Sequence, residues 1–199
     1  MSKTILQNRE EWLRKATDLL RPLFKSAEHP LPEHVQVSCG WPSKQALSRK
    51  RRRIGECWDV TCAADKMHHI FISPCLSDVL DPYGVLPTLV HELGHAAVGI
   101  PAGHKAPFKR MMKAMGLEGK ATSTHAGEEL LERLRGISGK LGDYPHGQLE
   151  LKSSGAKKQG TRLHKCECPG CGYTVRVTQK WIDVGLPICP ECEKPMEAA

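Results

Sequence analysis

The sequence predicts an α+β fold, a small sheet packed on helices, followed by a compact C-terminal module that depends on a metal ion to fold. Three observations predict it. Apolar residues recur at helical spacing in four stretches. Three short runs rich in β-branched and apolar residues lie between the first two of those stretches. Two Cys-Pro-x-Cys pairs close the chain after a segment of Gly, Ser, Lys and Gln. With 199 residues and 40% hydrophobic content, the chain can hold one modest core and one small module.

The first helix is expected from Glu10 to about Lys25, where Trp12, Leu13, Ala16, Leu19, Leu20 and Leu23 form a stripe. Pro22 has no amide hydrogen and is expected to kink or restart it. Strands follow at His34–Ser38, Cys57–Cys62 and His68–Ser73. The adjacent His68 and His69 point to opposite strand faces and do not share metal-ligand spacing. Leu86, Leu89, Val90, Leu93 and Ala97 mark a second helix, with Pro87 in its first turn and Gly99 and Pro101 as its stop. Phe108, Met111, Met112 and Met115 mark a third that ends at Gly116. Leu130, Leu134, Ile137 and Leu141 mark a fourth, from Ala126 to Leu141. Composition then shifts between Tyr144 and Thr161, so the predicted division is an α+β domain over 1–145, a flexible basic linker over 146–162 and a four-cysteine module over 163–199. Val175 and Val177 alternate as in a hairpin within that module.

His91-Glu92-Leu93-Gly94-His95 is the H-E-x-x-H pattern. Residues four apart share a helix face, so His91 and His95 can hold one metal ion between them. Glu92 sits one residue round, where it reaches a water at the metal without being a ligand, the position of a general base. The apolar stripe lies nearly opposite the two histidines, unlike a core helix with incidental histidines. His104 is the nearest third ligand; Glu128, Glu129 and His125 are the rivals. The metzincin spacing is excluded, because Val98 and Pro101 stand where that pattern has Gly and His. Cys168, Cys171, Cys189 and Cys192 form a four-thiolate zinc set, in which Cys166 is the odd neighbour of Cys168. Cys39, Cys57, Cys62 and Cys75 read as reduced, buried residues of a protein in a reducing compartment.

The run from His91 through His104 to Phe108, followed by the terminal cysteine knuckles, resembles the SprT-like metalloproteases, which include the Spartan proteases acting on DNA-protein crosslinks. Cys39-Gly40-Trp41-Pro42, Gly55-Glu56-Cys57-Trp58 and Ile70-Phe71-Ile72-Ser73-Pro74 look like the bacterial and phage members. The resemblance implies a zincin-like domain with zinc on His91, His95 and His104 and a catalytic Glu92. Spartan-type members carry a longer insertion before the third histidine, so the gap here is a departure in the region that handles substrate.

The net charge of +7 is clustered. Arg49, Lys50, Arg51, Arg52 and Arg53 form an unbroken run, and Lys105 to Lys120 holds five basic residues, among them Lys109, Arg110 and Lys113, against Glu118 alone. A basic rim beside a metal site favours nucleic acid, or proteins held on it. The terminal module has four basic residues against five acidic ones, so charge gives it no claim as the main DNA contact. No run is apolar enough for a membrane span or a signal peptide, so a cytoplasmic setting is expected, one that admits association with the nucleoid through the basic clusters. The expectation is a metallopeptidase with a protein substrate and two zinc ions per chain, one catalytic and one structural. A DNA- or transcription-associated zinc protein without proteolysis, and zinc hydrolysis of another electrophile, are the alternatives.

Overall fold

The computed structural model describes residues 8–48, 50–151 and 163–198 of a chain that divides into two compact units, Met1–Ser153 and Ser154–Ala199. The architecture is mixed α+β, with small sheets and five α-helices among the described residues. In the first unit, helix α1 (Arg9–Ser26) is capped by Asn8, whose side chain accepts the Glu11 N–H at 2.9 Å. It does not restart at Pro22. Leu20 and Phe24 are fully buried on either side, so packing carries the helix across the missing backbone bond while Pro22 faces solvent.

Strands β1 (Val35–Cys39), β2 (Gly55–Trp58) and β3 (His68–Ile72) form a sheet in the order β1-β3-β2, with β1 parallel and β2 antiparallel to β3. The strand expected over Cys57–Cys62 starts earlier and stops at Trp58. Asp59 ends it by accepting the Thr61 N–H at 3.0 Å and the Thr61 hydroxyl at 2.7 Å, which caps a single 3-10 turn over Val60–Cys62. Cys62 is accordingly exposed, against expectation, while Cys39, Cys57 and Cys75 are half-buried.

Helix α2 (Val85–Val98) packs on β2 and β3 and is buried almost all round, with Leu86, Leu89, Val90 and Leu93 fully so. Helix α3 (Ala106–Met115) lies close against it, because a methyl group at Gly94 would collide with Met111. Between α3 and α4 (Glu128–Leu141) stands an antiparallel hairpin of β4 (Leu117–Lys120) and β5 (Ser123–Ala126) that sequence periodicity does not reveal. Ala126 therefore ends a strand rather than opening the fourth helix, and its N–H donates to Pro82 O at 2.9 Å, tying the hairpin to the approach to α2.

Residues 144–149, which composition assigns to a loop and linker, are strapped to the first unit. The buried Arg9 guanidinium donates to the carbonyls of Pro145 at 3.1 Å and Gly147 at 2.6 Å, and Leu149 N–H donates to Pro74 O at 2.9 Å. Most of the expected linker, residues 152–162, lies outside the described residues, as does Arg49. In the second unit β6 (Leu163–Glu167) pairs antiparallel with β7 (Thr174–Thr178) and, on its other edge, with β8 (Glu197–Ala198); a short helix α5 (Gln179–Val184) follows β7. Among the described residues of this unit, the buried cluster is Cys166, Cys168, Cys189 and Met196, with Val175, Val177, Ile182 and Cys192 partly buried against it. No helix among the described residues is long and apolar enough to cross a membrane.

Candidate metal centres

His91 and His95 leave the same face of α2, and His104 returns to them from the turn beyond. One nitrogen from each ring lies within 4.8 Å of the other two. The return rests on two glycines that bracket a 3-10 turn over Ile100–Ala102: Gly99 at φ 84° and Gly103 at φ 49°, both in a region that side-chain-bearing residues rarely adopt. Phe108, on the buried face of α3, forms a floor beneath all three rings, with centroid distances of 4.9 Å to His91, 4.2 Å to His95 and 5.1 Å to His104. The hairpin supplies the remaining support: His91 Nδ1 lies 2.7 Å from Thr124 Oγ1, so its Nε2 is the nitrogen left to face the other two histidines. Thr124 is a site residue that sequence reasoning missed. Its signal is faint, a threonine in the polar run between Gly116 and α4, and its approach to His91 depends on a hairpin with no apolar alternation.

Burial pushes His91 down to about 3, helped by the charges of His95 and His104, and pushes His95 down to about 4 for the same kinds of reason. His104 is also lowered, by burial and then by Arg53. All three are therefore neutral near pH 7, the form in which imidazole binds metal. Glu92 is raised to about 8 by burial, with Arg53 opposing. The Cys57 thiol is pushed well above its ordinary range by burial and by Glu92, and it is not among the grouped ligand atoms. Three converging neutral imidazoles and a carboxylate set apart from them fit a divalent ion with a fourth position open. His125 stands outside the group, 3.6 Å from Glu118, and Glu129 is paired with Arg133; neither they nor Glu128 join the histidines.

In the second unit the Sγ atoms of Cys168, Cys171, Cys189 and Cys192 gather within 4.8 Å of one another, and Cys166 is buried beside them without joining. Backbone N–H groups of Cys171 and Gly170 draw the Cys168 thiol down to about 7. Hydrogen bonds among the grouped sulfurs hold Cys171 and Cys192 above their ordinary value, so without a metal the set carries its charge on Cys168 first. The set fits a four-coordinate structural metal, as in a zinc ribbon. Both candidate groups are compatible with metal binding.

No protein-family model, no curated protein and no solved structure matches this chain.

The histidines open on a cleft of about 1100 Å³ whose walls include Lys50, Arg51, Arg52 and Arg53 from the loop before β2, Gly55 to Cys57 of β2 itself, Tyr83, and Lys120, Thr122, Ser123 and Thr124 of the hairpin. The structure thus brings the described part of the basic run into the same cleft as Glu92. It does not bring Lys109, Arg110 and Lys113 there. These are exposed on α3, away from the face that carries Phe108 and Met111.

Proposed function

We propose that the chain is a zinc-dependent peptidase of the SprT-like, zincin-like kind, carrying a C-terminal zinc ribbon. The observation that carries this reading is the convergence of His91, His95 and His104 beside a buried Glu92 in an open cleft. A zinc ion in that cradle would supply Lewis acidity, lowering the pKa of water and of Glu92 and polarising a carbonyl oxygen. Glu92 accepts the proton of the attacking water and passes it to the departing amine. Thr124 holds His91 in one tautomer and orientation, and Phe108 keeps the rings packed on a dry floor. A polypeptide substrate is favoured over other electrophiles because β2 is an edge strand along the cleft, and an extended peptide can add to such an edge by backbone hydrogen bonds. A purely structural site has no use for Glu92.

The exposed Lys109, Arg110 and Lys113 on α3 support an accessory role for nucleic acid, as a surface on which a DNA-bound protein substrate is held outside the cleft. The free cysteines support a reducing, cytoplasmic setting. Incubation of zinc-loaded protein with casein, and with histone in the presence and absence of DNA, tests the reading. Fragments should appear with the wild type and disappear with chelator. No fragments from any of these substrates would overturn it.

A further inference from the structure

We propose that Lys50, Arg51, Arg52 and Lys120 form a subsite for acidic side chains of the substrate, so that the cleft takes polypeptide segments bearing Asp or Glu near the bond to be cut. This rests on the peptidase reading and names its substrate class. Glu56 and Glu92 are the two carboxylates that line the cleft. Glu56 is fully engaged: its carboxylate takes Arg53 Nη1–H at 2.6 Å, the Ser43 N–H at 2.7 Å, the Ser43 hydroxyl at 2.8 Å and the Trp58 indole N–H at 3.1 Å. Glu92 is buried against Gly55. Lys50, Arg51, Arg52 and Lys120 remain as exposed cations with no ion pair among the described residues.

The same Glu56 bonds anchor, on either side of Lys50, Arg51 and Arg52, the loop that carries them. They join the loop at Ser43 and the end of the basic run at Arg53 to β2, and Arg53 N–H also reaches Gln45 O at 3.4 Å. A peptide extended along β2 advances about 3.3 Å per residue and presents alternate side chains to one side, so several of its residues pass the wall. Nucleic acid in the cleft would occupy the space in front of Glu92 that the peptide needs. The carboxylates of the substrate are therefore the anions that this wall meets during turnover.

Binding by the zinc-loaded Glu92→Gln variant separates this proposal from the catalytic one. Three fluorescent peptides of equal length, one rich in Glu, one neutral and one rich in Lys, are compared by anisotropy at low and physiological salt. The Glu-rich peptide should bind at least about ten-fold more tightly than the neutral one at low salt, with the margin shrinking as salt screens the exposed charges. Arg51→Glu with Arg52→Glu should reverse the order in favour of the Lys-rich peptide, a gain that misfolding does not produce. Equal binding of the three peptides, or an order unchanged by the charge reversal, overturns the proposal. So does a single-stranded oligonucleotide that binds through the same arginines and displaces the Glu-rich peptide at lower concentration. Selective, arginine-dependent binding of the Glu-rich peptide without fragments from any protein would leave the subsite standing and remove the peptidase.

Discussion

A methyl group at position 55 would lie 2.6 Å from Glu92 Oε1 and 2.8 Å from Thr88 Cγ2, so the bare backbone of Gly55 decides where the carboxylate can sit. Gly55→Ala should retain both metals and lower turnover, because it moves the base and leaves the ligands in place; metal analysis beside steady-state kinetics checks this. Glu92→Gln should also keep metal and fold while losing at least roughly 100-fold in rate. His104→Ala differs in kind and should release metal as well. Thr124→Val should weaken metal retention roughly ten-fold in chelator competition, with Thr124→Ser restoring it, since the hydroxyl alone orients His91. Acid should act on the same rings. His91 and His95 titrate at about 3 and about 4 in the folded chain against an ordinary 6.5, so between those values the unfolded chain binds more protons. Glu92, raised to about 8, acts in the opposite sense between its ordinary 4.5 and 8. The metal-stripped first unit should therefore be most stable near pH 6.5 and lose stability as pH falls towards 3 to 4, read as a falling urea midpoint.

Among the elements, α2 and α3 were legible because a buried stripe and a glycine stop leave a periodic trace, and the histidine spacing rides on that helix. The hairpin was not. Its strands have only Leu117 and Ala126 buried, paired with each other at the open end, so alternation is missing and its role is to carry Thr124 to His91. The Glu56 network was equally hidden, because Ser43 and Glu56 stand 13 positions apart in the sequence. The turn that returns His104 gives the test at this scale. Gly99→Ala or Gly103→Ala places a side chain at φ 84° or 49°, a strain on the order of 1–3 kcal/mol. Each should lower the melting temperature and loosen zinc, whereas Ala at the exposed Gly136, which has open space and an ordinary helical setting, should do neither. On α3, replacing Lys109, Arg110 and Lys113 by Ser should flatten the salt dependence of duplex DNA binding by about 0.9 in log-log slope for each phosphate contact removed. A slope unchanged by the triple substitution would take nucleic acid off this helix.

At the scale of the whole chain, the two units hold their shape by different means, and the metals should report it. The first unit has a continuous core from Trp12 through Leu89 to Leu134, and its histidines lie at the margin of that core, beside a cleft open to solvent. The second unit buries Cys166, Cys168, Cys189 and Met196, and two of those four are themselves candidate ligands. So little buried apolar surface cannot offset the conformational entropy of the segment, so a metal held by the four cysteines would be its main source of folding free energy. Elemental analysis should find two zinc ions per chain, falling to one with His91→Ala and His95→Ala together, and separately with Cys168→Ser and Cys171→Ser together. The consequences for structure should be unequal. Losing the histidine-bound metal should leave amide protection of both units intact, because the buried Leu86, Leu89, Val90 and Leu93 hold α2 in the core without an ion. Losing the cysteine-bound metal should abolish protection across β6 and β7 while α1, α2 and α4 exchange as slowly as before. Hydrogen exchange on the two double variants decides it: a protected ribbon without its metal would show that the small core suffices, and a stoichiometry of one in the wild type would remove one of the two sites.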